Sequence, residues 1–214
     1  MHLNRDAEGG AVLRSRKWVE DGTRLFTAQV AALDEQGMAQ PSLLPGWTRK
    51  HVVAHVAANA EALGNLVHWA KTGEPTPMYP SREQRDADIE AGAALPASRL
   101  VAWLEEAVRE LDTAMDGLSG TRWQAEVRTA QGKPVPATAI PWLRAREVWL
   151  HTVDLGTGVT FADLPGEFLT ELVADVQAQR GLTTVPDGPL PEVAAYLTGR
   201  PHSLVNAPDL GPWL

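Results

Sequence analysis

The sequence predicts a mainly α fold: a bundle of four long amphipathic helices with a short hairpin and a small C-terminal appendage. Four long stretches place apolar residues at steps of three and four, the spacing of one helix face. Loops rich in proline and glycine separate them. Apolar residues make up 44% of the 214-residue chain and charged residues 21%, which suits a globular protein with one sizeable core. Bundles build their ligand sites from facing helices, so polar residues on the inner stripes are the functional candidates.

The first two helices precede a proline-rich connection. Residues 11–37 carry an apolar stripe, and Gly37 is typical of a helix end. The second helix is predicted to begin after Thr48, a good N-cap residue, and to end at Gly73. Residues 74–92 are rich first in proline and then in charge. We interpret them as a long irregular connection that forms a lid or an entrance wall.

The remaining elements are two long helices, a hairpin and a helical tail. Residues 96–118 form a third apolar stripe, and residues 122–137 alternate around a Gln-Gly-Lys turn, which predicts a short hairpin. The fourth long helix covers residues 138–155. A fifth helix is predicted after Asp163 as its cap, with Pro165 in its first turn. The stretch "PEVAAYLTG" predicts one more short helix.

Composition excludes several classes of function. The formal net charge of −8 argues against nucleic acid and anionic membranes as partners, because both require a basic surface. The chain has no cysteine, which excludes disulfides, thiolate nucleophiles and cysteine zinc sites. Its first residues lack the apolar core of a signal peptide, and no apolar run reaches the length of a membrane span. These features are compatible with a cytoplasmic location, which we expect, and an acidic protein can still bind an acidic small molecule through a few local arginines.

Four of the six histidines have a simple structural interpretation. His2 is terminal, His202 follows a proline in a loop, and His68 lies near a helix end, where a cation interacts favourably with the helix dipole. His51 falls in the first turn of the second helix and is expected near the rim of the bundle.

The other two histidines and one carboxylate form a candidate metal site. His55 lies among valines and alanines in the second helix, and Glu147 and His151 are four residues apart on the fourth. A buried carboxylate is costly unless it is paired or bound to a metal, and two imidazoles with one carboxylate suit Zn²⁺ or Fe²⁺. The spacing is equally consistent with a Glu–His pair and a core histidine. Asp154 either orients the His151 ring or is solvated near the helix end.

Two segments together resemble a known family. "LLPGWTRKHVVAHVAANAEAL" and "VRTAQGKPVPATAIPWLRAREVWLHTVDLGTG" are similar to the mycothiol-dependent maleylpyruvate isomerase family, whose members share a DinB-like metal-binding four-helix bundle. The resemblance covers roughly residues 10–160. It implies a divalent metal, most often zinc, held by His55, Glu147 and His151.

The resemblance also implies a C-terminal domain with a functional arginine. In the family this domain is small and α/β, and the "LTGR" element places the reactive arginine at Arg200. The stretch between Leu182 and Pro189 is too short for the usual strands, so the domain is expected to be trimmed. The implied organisation is a metal-binding bundle over residues 1–160 and a small domain over residues 161–214.

The implied activity is a thiol-dependent cis–trans isomerisation. Mycothiol would supply a thiolate that adds to the double bond of maleylpyruvate, the bond would rotate, and elimination would give fumarylpyruvate. Arginines would hold the carboxylates of the substrate and stabilise the developing charge. Arg200 is the first candidate. For Arg82, Arg85 and Arg144 the favoured interpretation is a solvated surface charge.

Three alternatives remain open at the level of sequence. A mycothiol S-transferase would use the same metal site but consume the thiol. A metal-stabilised bundle could act only as a binding module. In the simplest alternative, Glu147 and His151 form a structural pair without a metal.

Overall fold

The chain is mainly helical, as predicted. The computed structural model describes residues 2–211 and 213, and side chains from residue 9 onward. Contacts divide the chain into two compact units, Met1–Thr157 and Gly158–Leu214. The described residues form eight α-helices: α1 His2–Ala31, α2 Glu35–Met38, α3 Arg49–Thr72, α4 Arg82–Ala93, α5 Ala97–Asp116, α6 Ile140–Asp154, α7 Gly166–Gln179 and α8 Leu190–Leu197. None of these helices has a stretch long and apolar enough to cross a membrane.

The predicted hairpin is confirmed between α5 and α6. Strands β1, Glu126–Arg128, and β2, Pro134–Pro136, pair antiparallel with Val127 opposite Val135. The side chain of Val127 is fully buried in the core of the first unit, whereas its strand neighbours are exposed. This alternation fastens the hairpin to the bundle through one face. Short 3₁₀ turns flank the hairpin at Gly120–Gln124 and Ala137–Ala139.

Helix α3 is the central element of the first unit. It packs against α4, α5 and α6, while α1 packs along α6. More than half of its residues are buried, including the run from Val52 to Ala60. A helix that is apolar on nearly all sides belongs in the interior of a domain, and this accounts for its central position. The polar residues on it, His55 and Asn59, are therefore carried into the core.

The start of α3 is tied to the end of α6. Thr48 is the N-cap, as predicted, and its backbone N–H donates a hydrogen bond of 3.2 Å to His51 Nδ1. Arg49 donates to the carbonyl oxygens of Gly37, Leu155 and Gly156 at 3.0, 2.8 and 2.9 Å. The last two carbonyls follow the C-terminal end of α6, where backbone acceptors lack helical partners. One guanidinium thus holds the two site-bearing helices in a fixed relation.

Two predicted elements of the first unit differ in the structure. The first helix does not run to Gly37 but ends at Ala31, because Asp34 caps a new turn by accepting a 2.7 Å hydrogen bond from the Gly37 N–H. The connection predicted as irregular over residues 74–92 contains helix α4. Ser81 caps it, accepting a hydrogen bond from the Gln84 N–H at 3.1 Å. Its charged residues face solvent except for Arg85, which is partly buried, and Ile89 supplies its main buried apolar side chain.

The second unit is helical where the resemblance predicts an α/β domain. Its described residues contain α7, α8 and the 3₁₀ turn Phe161–Asp163, and no strand. The segment between the two helices is short and carries Pro186 and Gly188, which disfavour a strand interior. The predicted cap of α7 is also corrected. Asp163 accepts hydrogen bonds from Thr160 in the preceding turn, and Pro165 is the N-cap of α7.

Candidate metal centre

Three side chains from two facing helices meet at one point inside the first unit. His55 projects from α3, and Glu147 and His151 project from α6. Glu147 Oε2 lies 2.9 Å from His55 Nε2 and 3.2 Å from His151 Nε2. The two imidazole rings are nearly perpendicular, with centroids 4.6 Å apart. The structure therefore brings together the three residues that the sequence selects; we call them the trio.

The spacing of the trio suits a metal ion. One nitrogen from each histidine and one carboxylate oxygen all lie within 4.8 Å of one another. For a tetrahedral zinc site with bonds of about 2.0–2.1 Å, neighbouring donor atoms lie about 3.3 Å apart. His55 and His151 are 6% and 9% exposed, and the side chain of Glu147 is 24% exposed. The donors are thus mostly shielded from water, with one partly accessible side.

Asp154 orients the ring of His151. Its carboxylate is completely buried, and Oδ2 lies 2.9 Å from His151 Nδ1. Of the two sequence interpretations of Asp154, the structure supports the orienting one. When a metal replaces the Nε2 proton, a proton held on Nδ1 by this carboxylate would leave the Nε2 lone pair to bind the ion. The backbone carbonyl of Asp154 also accepts a 2.8 Å hydrogen bond from the Leu43 N–H, which fixes this end of α6.

Burial and hydrogen bonds set the charges of the trio. Burial alone would raise the pKa of Glu147, but hydrogen bonds from His151 and His55 outweigh it and hold this pKa well below the usual range. Burial alone would lower the pKa of His151, yet its hydrogen bonds to Asp154 and Glu147 raise that pKa. The pKa of His55 is lowered, chiefly by burial, with Glu147 opposing the shift. Glu147 is therefore a carboxylate at neutral pH.

Aromatic and cationic side chains surround the trio. The Trp47 ring centroid lies 5.7 Å from that of His55. Arg85 reaches down from α4, with Nη2 3.4 Å from His55 Nδ1 and its guanidinium carbon 5.9 Å from the centroid of the Tyr79 ring. Burial raises the pKa of Tyr79 to about 12, and the charge of Glu147 adds to the shift. The helix missed from the sequence, α4, thus contributes to the site.

Arg144 is buried, which corrects its interpretation as a solvated surface charge. It is 1% exposed, and Nη1 donates to the Val56 carbonyl and to Asn59 Oδ1 at 2.8 and 2.9 Å. Burial lowers its pKa to about 10, with Glu147 opposing the shift, so the guanidinium stays charged at neutral pH. Sequence reasoning missed Asn59 altogether. The available signal was its position four residues after His55, on the same face of a very apolar helix.

The other candidate residues have separate roles. Arg200 lies in the second unit, just beyond the end of α8. Its backbone N–H donates to the Ala195 carbonyl at 2.9 Å, and its side-chain Nη1 donates to the Thr198 carbonyl at 2.6 Å. Arg82 is exposed at the start of α4, as expected. His51 caps α3 and is partly exposed, with Nε2 3.4 Å from Glu90 Oε2.

The three remaining histidines are not part of the trio. His68 is exposed near the end of α3. His202 is exposed, and its ring contacts Tyr196 edge-on at 5.1 Å within the second unit. The side chain of His2 lies outside the described side chains.

The family model and the solved structures that match this chain belong to the same family. Residues 19–156 match the family model described as the mycothiol maleylpyruvate isomerase N-terminal domain. A crystal structure of the mycothiol-dependent maleylpyruvate isomerase is 36% identical, with a TM-score of 0.88, over 94% of this chain and 97% of that chain. A mutant of that isomerase, with one histidine replaced by alanine, is 35% identical with the same TM-score and coverage. A comparison with curated proteins gives no match.

Proposed function

Because the chain belongs to the mycothiol maleylpyruvate isomerase family, we propose that it is a metal- and mycothiol-dependent cis–trans isomerase that converts maleylpyruvate to fumarylpyruvate. The observation that carries the proposal is the convergence of His55, Glu147 and His151 on one point in a mostly buried site. We propose residues 1–160 as the metal-binding domain and residues 161–214 as a small C-terminal domain. The enzyme would act in the cytoplasm.

The donor set fits a divalent metal, and zinc is our proposal. Two imidazoles and one carboxylate are a common three-ligand set for catalytic zinc, which keeps a further position open. The distances of 2.9 and 3.2 Å from Glu147 Oε2 to the two histidines are close to tetrahedral donor spacing. When bound, the ion would supply a Lewis acid that stabilises the thiolate of mycothiol at neutral pH, and the thiolate would add reversibly to the substrate double bond.

The chain's own residues prepare this chemistry. Asp154 holds the proton on His151 Nδ1 and so keeps the Nε2 lone pair directed at the metal position. The low pKa of Glu147 keeps it ionised. The chain has no cysteine, so a sulfur nucleophile has to be brought by the cofactor. Arg200 is our proposed catalytic arginine, which would pair with a substrate carboxylate and stabilise negative charge developing on a carbonyl oxygen.

The first test is metal content. Mass spectrometry of wild type, His55→Ala and His151→Ala should show about one zinc per chain in wild type and loss in both variants, since each removes one of three ligands. His68→Ala, on the same helix but exposed, is the matched control and should keep its metal. If wild type holds no metal and gains no thermal stability from added zinc, the trio is a structural cluster and the metal proposal fails.

The second test is the product formed from maleylpyruvate and mycothiol. We expect fumarylpyruvate, with the thiol recovered and the rate lost in His55→Ala. A stable thioether with the thiol consumed would instead identify an S-transferase. Metal binding with no thiol-dependent reaction would identify a binding module.

A further inference from the structure

We infer that Arg144 is the anchor of an anion-binding subsite beside the trio, completed by Tyr79 and Arg85, and that this subsite holds one carboxylate of the substrate. The identity of the anion rests on the proposed function. The existence of the subsite rests on the geometry of Arg144 itself.

One end of the Arg144 guanidinium has no partner. Nη1 makes two hydrogen bonds, to the Val56 carbonyl and to Asn59 Oδ1, whereas Nη2 is buried and makes none in the described residues. Both partners of Nη1 are neutral, and no described carboxylate forms an ion pair with the group. A buried charge without an ionic partner is costly, and an unsatisfied buried donor adds to the cost. Such a group calls for a functional explanation, and an anionic ligand that binds there supplies one.

Arg144 lies directly next to the trio. It precedes Glu147 by three residues on α6, and its partner Asn59 follows His55 by four residues on α3. Residues at these spacings share one helix face, so Arg144 and Asn59 form the next layer inward from His55 and Glu147. If one carboxylate of a small substrate bound at Arg144 Nη2, the other end of the substrate would lie beside His55, Glu147 and His151.

Tyr79 and Arg85 bring further polar groups to the same place. Burial raises the pKa of the hydroxyl on the Tyr79 ring to about 12, and the charge of Glu147 adds to this shift while Arg85 and Arg144 oppose it. The Arg85 guanidinium lies over this ring, and the side chain is 29% exposed. Arg85 therefore approaches from the partly open side, and Arg144 from the core. A guanidinium presents paired donors that match the two oxygens of a carboxylate.

The local charge also favours an anion. The chain as a whole carries −8, which would repel a dicarboxylate. In the subsite, the guanidinium groups of Arg144 and Arg85 lie near the carboxylate of Glu147; Arg85 also pairs with the exposed Asp86 at 2.8 Å, and the charge of Asp112 acts on Arg144. The Arg144 guanidinium is 1% exposed and its Nη2 has no hydrogen-bond partner among the residues that the structure describes, so an anion that reaches Nη2 would meet a cation that solvent screens only weakly. Selectivity for a small anion by an acidic protein then follows from this local arrangement.

The test is calorimetric binding of maleate to the zinc-loaded and the zinc-free protein. Wild type should bind maleate in both forms. Arg144→Gln, which keeps a polar side chain but removes the charge, should weaken binding by roughly 30-fold or more, as expected for loss of a buried charged partner. Arg85→Gln should weaken it by a smaller factor. Arg82→Gln, one turn earlier on α4 and exposed, should leave it unchanged.

A second variant guards against misfolding of Arg144→Gln. Asn59→Asp places a carboxylate where an amide already contacts Arg144 at 2.9 Å, so it neutralises the cation with little change in volume. Maleate binding should fall to a similar extent. Equal affinity for maleate in wild type and Asn59→Asp, or no binding by wild type, would overturn the inference.

This result can be separated from the proposed function. Isomerisation by wild type together with maleate binding that does not depend on Arg144 would reject the subsite and keep the function. Binding that depends on Arg144 in a protein without isomerase activity would keep the subsite and reject the function.

Discussion

The charge of His151 depends on two carboxylates, Asp154 at Nδ1 and Glu147 at Nε2. In the metal-free protein these bonds raise the pKa of His151 above its value in the unfolded chain. Their stabilising contribution is complete below about pH 6.5, where the unfolded histidine is also protonated, and is lost as pH rises through the raised pKa. We expect the melting temperature of wild type with chelator to fall towards that of His151→Gln as pH increases from about 6 to 9.

The difference in melting temperature between wild type and His151→Gln can also contradict this prediction. His55, whose pKa is lowered chiefly by burial and in part by the charge of His151, is present in both proteins, so the comparison measures His151 together with its effect on His55. A difference in melting temperature that stays constant across this pH range would show that His151 is not charged through these bonds.

Asp154 gives the second prediction for a single residue. Asp154→Asn keeps the size of a completely buried side chain but weakens its hold on the His151 Nδ1 proton. Replacing a partner of this kind typically lowers metal affinity by about 10- to 100-fold. Competition against a chromogenic chelator would measure the change, with Asp88→Asn on exposed α4 as the control. Unchanged zinc affinity in Asp154→Asn would mean that ring orientation does not depend on this carboxylate.

Among the elements, the close approach of α1 and α6 depends on Gly22. A Cβ atom at this position would lie 2.7 Å from Val148 Cγ2 and 2.9 Å from Trp149 Nε1. Trp149 cannot easily move, because its Nε1 donates a 2.9 Å hydrogen bond to the Trp18 carbonyl. We expect Gly22→Ala to lower the free energy of unfolding by about 1–3 kcal/mol, despite the higher helix propensity of alanine.

Gly64 provides the matched comparison on α3. A Cβ atom there meets nothing within 4 Å, and the helix is otherwise unchanged. Gly64→Ala should therefore raise the free energy of unfolding by about 0.5–1 kcal/mol. Urea unfolding of both variants would measure the two effects. If both substitutions stabilise the protein, the contact between α1 and α6 is looser than the structure describes.

The helices could be predicted from the sequence to different degrees. Helix α3 begins after Thr48 and ends before Gly73, as the sequence predicts. Thr48 is a favourable N-cap residue, Gly73 is a favourable C-cap residue, and the helix between them is strongly apolar. The sequence pattern does not predict helix α4, because three prolines precede it and it buries little besides Ile89. The spacing of Ser81 and Gln84 was the one local indication of its start. Weakly amphipathic helices form through contacts with the rest of the fold, which a local pattern does not contain.

At the scale of the whole molecule, the site was predictable in part. A carboxylate and histidines at helical spacing among apolar residues predict the trio, and the structure brings the three side chains together. The burial of Arg144 was not predictable, since its partners Val56 and Asn59 lie 88 and 85 residues away in the chain. Nothing in the neighbourhood of Arg144 in the sequence shows which helix will cover it.

Removing the metal should change the stability of the whole folded chain. A metal that binds only the folded state stabilises it by about 4 kcal/mol when free zinc is about 1,000 times the dissociation constant. For a chain of this size that corresponds to a rise of roughly 8–16 °C in melting temperature. Because α3 is the central helix of the first unit and α6 packs on both α1 and α3, ligation by His55, Glu147 and His151 should slow hydrogen exchange along α3 and α6. His55→Ala should show neither effect on adding zinc, whereas a full zinc-dependent rise in that variant would locate the metal elsewhere.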